Sequence, residues 1–345
     1  MKFRYFFSGI LLVFALQAQT QAWDFDHISF KKADSLAMVN KGASLDDLPE
    51  LVYNLTHSLE TDAERFRAIY LWVCTNVKND YGLYAKNKRK RKRYQDDSLK
   101  LEAWNEKFKK RIFKTLLKRK RTICTGYAYM VKTLSQLVNI DCKIINGFAK
   151  TSSGNLDDLR YPNHSWNAVK LDGKWYLSDP TWASGVQNLD NSRFKFDYND
   201  GLFLAPPRLF AINHFPLEAE WFLFKDMQPT FTDFLEAPIV YNEAYKLLAN
   251  HKTPQKLYNE VPRNYTLNLE CLLKPNINPK KITLDIDDGI SSKTIVPDNF
   301  IIKDQKLYVK HNLTKYGFYD IHLSIDDQLV VSYVYKVKRF KAKSN

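Results

Sequence analysis

Cysteine is scarce in this 345-residue chain, with four residues at Cys74, Cys124, Cys142 and Cys271. They form no C-x-x-C pair, and no H-E-x-x-H occurs, so no zinc module or zinc-protease helix is written here. Four scattered thiols in so long a chain build no disulfide framework. Cys74 and Cys142 could pair, but both read better as core residues. Past the first residues, no segment is apolar enough to cross a bilayer, which argues against an integral membrane protein. No DNA- or RNA-reading motif accompanies the basic residues, so a specific nucleic-acid partner is not expected.

The one apolar run, Phe6 to Leu16, is about ten residues long, short for a membrane span. It follows Lys2 and Arg4, and small residues at Thr20 and Ala22 offer a cleavage site. No cysteine follows it to carry a lipid. We expect residues 1–22 to be a signal peptide and the mature protein to be secreted or periplasmic; an N-terminal membrane anchor is the alternative. The length predicts two domains. Of the net charge of +14, residues 86–120 supply nearly all, with 16 Lys or Arg against Asp96, Asp97, Glu102 and Glu106. The rest of the chain is close to neutral.

Residues 33–80 read as helical. Thr61 and Glu64 have capping-box spacing, and Phe66, Ile69, Tyr70 and Val73 recur at helical period. "KNKRKRKR" reads as a solvated charge run. After Ser98, Trp104, Phe108, Ile112 and Leu116 recur every four residues, a helix apolar on one face and basic elsewhere. A further helix is expected over 124–138. The period then changes to two in "CKIINGFA", "SWNAVKL" and "KWYLSD". Residues 194–236 are aromatic and punctuated by proline, and read as loops and short helices packed back on the core. Residues 237–252 read as a short helix and a linker. From 262 to 340 alternation dominates, as in "YTLNLECLL", and some six strands are expected to form a β-sandwich of immunoglobulin-like class, with Cys271 facing inward.

Cys124 could be a core thiol, half of a disulfide, or a nucleophile. A nucleophile needs a thiolate, a base to make it, and a group to orient the base. Cys124 stands where a helix begins, after Lys120 and Arg121, and both features lower a thiol pKa. "NHSWNAVKLDGKWYLSDP" supplies the partners. Asp172-Gly173 is a two-residue hairpin turn. If Leu171 pairs with Lys174, Asp179 falls opposite Trp166, and His164 is its diagonal neighbour on the same face, about 7–8 Å away at the backbone.

The chain resembles the transglutaminase-like superfamily of papain-type cysteine enzymes, and most of all its kyphoscoliosis-peptidase branch. "ERFRAIYLWVCTNV", "RTICTGYAYMVKTLSQLVNI", "INGFAK", "NHSWNAVKLDGKWYLSDPTWASG" and "FLAPPRLFAINHFP" carry the resemblance, over roughly residues 60–225. It implies a papain-like α+β core over 23–250, interrupted by a basic helical insertion at about 84–121. It implies Cys124 as nucleophile, His164 as base and Asp179 as orienter, acting on amide or peptide acyl groups by hydrolysis or transfer. Some members act as scaffolds, so an interaction protein that keeps the fold is the alternative. Thr122-Ile123 stands where the family often has Gly-Val. The Cys124 N–H is the expected oxyanion donor, with Trp72 and Tyr81 as weaker candidates. His214 is assigned to packing. No cofactor or metal is expected. The expected partners are a protein or peptide substrate and, through residues 86–120, a polyanion or anionic envelope surface.

Overall fold

The computed structural model describes residues 22–339 except 152–158, 160 and 189–192. Residues 1–21, which carry the export expectation, lie outside the described ones. Three helices come first: α1 (Lys31–Val39), α2 (Leu48–Thr56) and α3 (Asp62–Asn76). The capping box of α3 forms as expected, with the Thr61 side chain accepting from the Glu64 N–H. Phe66, Ile69, Tyr70, Trp72, Val73 and Cys74 on α3 are all fully buried. Such a helix has no polar stripe because every face meets protein.

Strand β1 (Lys78–Asn79) leads into α4 (Tyr81–Arg93), and α5 (Ser98–Arg119) leads into β2 (Arg121–Thr122), which pairs in parallel with β1. The charge run is therefore helical, and none of residues 86–93 is buried, as expected of a solvated run. Asp80 caps α4 through the Leu83 N–H, and four basic residues occupy its last turn, where the helix dipole favours cations. The apolar face of α5 is as expected: Phe108, Ile112 and Leu116 are buried. Phe108 and Ile112 join Leu83 and Ile123 in a satellite core.

After α6 (Cys124–Gln136) come β3 (Cys142–Ala149), β4 (His164–Leu171), β5 (Lys174–Ser178), α7 (Pro180–Ser184), β6 (Gly185–Gln187), β7 (Phe194–Phe196), α8 (Pro207–Asn213), β8 (His214–Pro216), α9 (Phe231–Glu236) and β9 (Ile239–Val240). The central sheet is antiparallel in the order β5-β4-β3-β8. Leu171 pairs with Lys174, and Asp172 and Gly173 both have positive φ, as the two-residue turn demands.

The stretch read as a short helix and linker holds α10 (Ala244–Leu247) and a strand, β10 (Leu248–Thr253). The C-terminal region is all-β: β11 (Tyr258–Val261), β12 (Tyr265–Leu273), β13 (Ile282–Asp287), β14 (Ser292–Ile295), β15 (Asn299–Lys303), β16 (Lys306–Leu313), β17 (Gly317–Ile325) and β18 (Gln328–Val337). One sheet runs β10-β12-β16-β15; the other runs β11-β18-β17-β13-β14, with β9 also on β18. The His251 ring on β10 bonds the Tyr333 hydroxyl on β18 at 2.7 Å, tying the sheets across a shared core. Cys271 faces that core at 1% exposure. All four cysteines are free and buried, so Cys74 and Cys142 do not pair. Among the described residues, no helix is long and apolar enough to cross a membrane.

Candidate active site

The β1–β2 pair delivers the chain to α6, with Ile123 as the extended N-cap residue and Cys124 as the first helical residue. Thr122 is fully buried beneath that first turn. A Cβ on Gly126 would lie 1.8 Å from Thr122 Oγ1, so only glycine lets the turn sit so close to β2. Gly126→Ala is expected to cost about 1–3 kcal/mol through overpacking. A thermal melt checks this, and an unchanged midpoint would show that Thr122 gives way freely.

His164 opens β4, and Asp179 follows β5 as the N-cap of α7. The hairpin register puts them at the same end, and the side chains close the diagonal: His164 Nε2 bonds Asp179 Oδ2 at 2.7 Å. The other carboxylate oxygen, Oδ1, accepts the N–H groups of Thr181 (2.8 Å) and Trp182 (3.1 Å). Asp179 is fully buried, yet every lone pair has a use.

Sequence reasoning assigned His214 to packing and missed a second role. Its packing is real, since its ring stacks on Phe210 at 3.7 Å and lies 4.4 Å from Trp182. Its Nε2 also donates to Asp179 Oδ2 at 3.1 Å, so one oxygen serves two imidazoles. The register explains the meeting, because β3 carries β4 on one side and β8 on the other, with Gly147 opposite His164 and Ala149 opposite His214. A histidine inside the apolar "FAINHFP" was the available signal.

The electrostatics follow from this geometry. Burial alone would raise the Cys124 pKa, but the hydrogen bond and charge of His164, with the Ser165 N–H, lower it below its ordinary value. Burial works against a charged His164, and the Asp179 charge and hydrogen bond, with Cys124, outweigh it and lift the imidazole to about 10. Asp179 lies well below the usual carboxylate range: the two histidines more than offset its burial. Burial holds His214 neutral, down at about 4, so its single proton serves the bond to Asp179. Because Nε2 of His164 belongs to Asp179, Nδ1 is left for Cys124. The cations expected to help the thiolate look elsewhere: Arg121 lies 3.5 Å from Asp80, and Lys120 donates to the Gly42 carbonyl. Trp72 donates to the Asn40 carbonyl at 2.7 Å and is removed as an oxyanion donor. Tyr81 opens α4 with its ring 6.5 Å from Phe194.

Among the described residues, His164, Asp179 and His214 are also a group whose donor atoms could share a metal ion, lying within 4.8 Å of one another. A cation there would have to displace both protons that now bridge the histidines to Asp179.

A mixed helix-and-sheet core with a helix-start cysteine beside a buried His–Asp–His group defines a transglutaminase-like domain. Residues 49–180 match the family model of the Transglutaminase-like superfamily, so the chain carries a transglutaminase-like domain, and the relatives it resembles include the kyphoscoliosis peptidases. The human kyphoscoliosis peptidase (Homo sapiens) is 30% identical over 220 residues, 61% of this chain and 29% of that protein. The mouse protein (Mus musculus) is 32% identical over 208 residues, 58% and 27%. Hillarin of Drosophila melanogaster is 26% identical over 232 residues, 62% and 25%. The match thus spans under a third of each of these relatives.

Proposed function

We propose that this protein is a cysteine enzyme that cleaves or transfers amide acyl groups of proteins or peptides, with Cys124 as nucleophile, His164 as general base and acid, and Asp179 as orienter. The supporting observation is Cys124 at the first position of α6, its pKa lowered chiefly by His164, whose Nε2 is held by Asp179 at 2.7 Å. The thiolate sulfur attacks the carbonyl carbon, and a C–S bond forms as the π pair moves onto oxygen. The Cys124 N–H, which has no acceptor within α6, faces that developing oxyanion. The imidazolium passes its proton to the leaving nitrogen as the C–N bond breaks, leaving a thioester. Water, or an amine, then gives a proton to His164 and attacks the thioester, which returns the thiolate. Hydrolysis is the favoured outcome.

In this reading the protein works outside the cytoplasm, the C-terminal sheets are an immunoglobulin-like sandwich, and the basic helices α4 and α5 meet a polyanion or anionic envelope surface. A second reading, an interaction protein that keeps the fold, is favoured by one observation: Cys124 is only 8% exposed.

The test is the rate of iodoacetamide labelling at Cys124 against pH, in wild type and His164→Ala. The enzyme reading expects a labelling midpoint well below that of an ordinary thiol, about 8.5, shifted upward in the variant. Slow labelling of the folded protein that is independent of His164 would decide for the interaction protein.

A further inference from the structure

The basic insertion spans the site. On the nucleophile side, Leu83 of α4 and Phe108 and Ile112 of α5 pack on Ile123, the residue before Cys124. On the base side, Arg91 Nη1 of α4 donates to the Pro162 carbonyl at 2.9 Å, two residues before His164. Beyond the end of α4, the Gln95 carbonyl accepts the Tyr161 hydroxyl at 2.9 Å. Arg91 is half-buried and, among the described residues, pairs with no carboxylate.

Burial pulls the Arg91 pKa down, and the groups that pull it back up are Cys124, Tyr161 and Tyr84. A desolvated cation without a counter-ion costs free energy, and a nearby anion recovers that cost. The Cys124 thiolate is one such anion, but acylation consumes it. If Arg91 served only the thiolate, it would oppose formation of the acyl-enzyme. An anion brought by the substrate would reverse that sign. The guanidinium fork, with one donor on Pro162, keeps others for a carboxylate.

We infer that Arg91 is a specificity-determining residue that holds a substrate carboxylate beside the scissile carbonyl, so that the enzyme takes acyl donors carrying an acidic group next to the amide. This rests on Cys124 being the nucleophile, as proposed above. Two sources share the chemistry, an acidic side chain and a chain-terminal carboxylate.

Two reagents of nearly equal size separate the possibilities, neutral iodoacetamide and anionic iodoacetate. Rates at Cys124 are measured in wild type, Arg91→Gln and Arg91→Lys, with thermal melts to show that each folds. The iodoacetate-to-iodoacetamide ratio is expected to fall about tenfold in Arg91→Gln, between the effect of one close charge pair in water and that of one near a protein surface. Arg91→Lys should keep most of it. Protection by a blocked Glu peptide then identifies the side chain as the source, and protection by a Gln peptide with a free C-terminus identifies the terminus. An unchanged ratio overturns the inference. So does an equal fall with both reagents, which would make Arg91 a support for the thiolate or for the strand of His164. If neither reagent labels wild-type Cys124 faster than an unfolded thiol, the enzyme reading itself fails and takes this inference with it.

Discussion

Asp179→Asn is expected to lower turnover by about ten-thousand-fold while the protein stays folded. Loss of the equivalent charge in a Ser-His-Asp triad has about that effect. The amide oxygen can replace Oδ1 and keep the cap on Thr181 and Trp182, so α7 survives. The amide nitrogen then takes the place of Oδ2 and offers a proton to the two histidines that now donate to it. To accept it, His164 must give up its Nε2 proton and carry one on Nδ1. That is the wrong tautomer, because the face toward Cys124 can no longer take the thiol proton. Turnover, and iodoacetamide labelling at pH 6, read the effect directly; full reactivity in the variant would show that Asp179 does not orient His164.

The pH dependence has a definite sign. The folded pKa of His164 is raised, so its contribution to stability is complete below its unfolded value of about 6.5 and is lost as the pH rises toward about 10. Asp179 and Cys124 are depressed, so their contributions are present above their unfolded values and lost as the pH falls through the folded ones. The thiolate–imidazolium pair is therefore bounded by Cys124 on the acid side and by His164 on the alkaline side. Turnover should follow a bell whose alkaline limb lies near 10. In Asp179→Asn that limb moves down.

His214→Ala should be the most destabilising change around the site, by about 3 kcal/mol. The ring is fully buried between Phe210, Trp182 and Trp166, so alanine leaves a cavity that packed aromatics cannot refill. The carboxylate also loses one of its four donors. His214→Phe divides the two costs, since it restores the ring without the proton. It should recover most of the loss and fall short of wild type by about 1 kcal/mol, the value of one hydrogen bond. Urea midpoints of the three proteins measure both terms. If His214→Phe matched wild type, packing alone would be its role.

Much of the site was legible because its logic is local. The capping box of α3, the Asp172-Gly173 turn and the alternation of β4 and β5 are read within a few residues, and counting outward from the turn brings His164 to Asp179. Cys124 at a helix start was legible for the same reason. The charge run forms a helix although like charges disfavour an isolated one, because Asp80 caps α4 and Leu83 packs on Phe108, Ile112 and Ile123. Strand β10 was misread because its only reason to be extended is its pairing with β12.

By itself the sequence determined most of the elements and pointed to Cys124, His164 and Asp179, since turn chemistry, caps and hydrophobic period act over distances that the chain writes in order. Only the tertiary structure decided that His214 shares Asp179 and that Arg91 reaches Pro162, two residues before His164. Those partners lie 35 and 71 residues apart in the chain. They meet through the β3–β8 pairing and the docking of α4 and α5 on Ile123, contacts whose loop-closure cost is met by burial that no local pattern records.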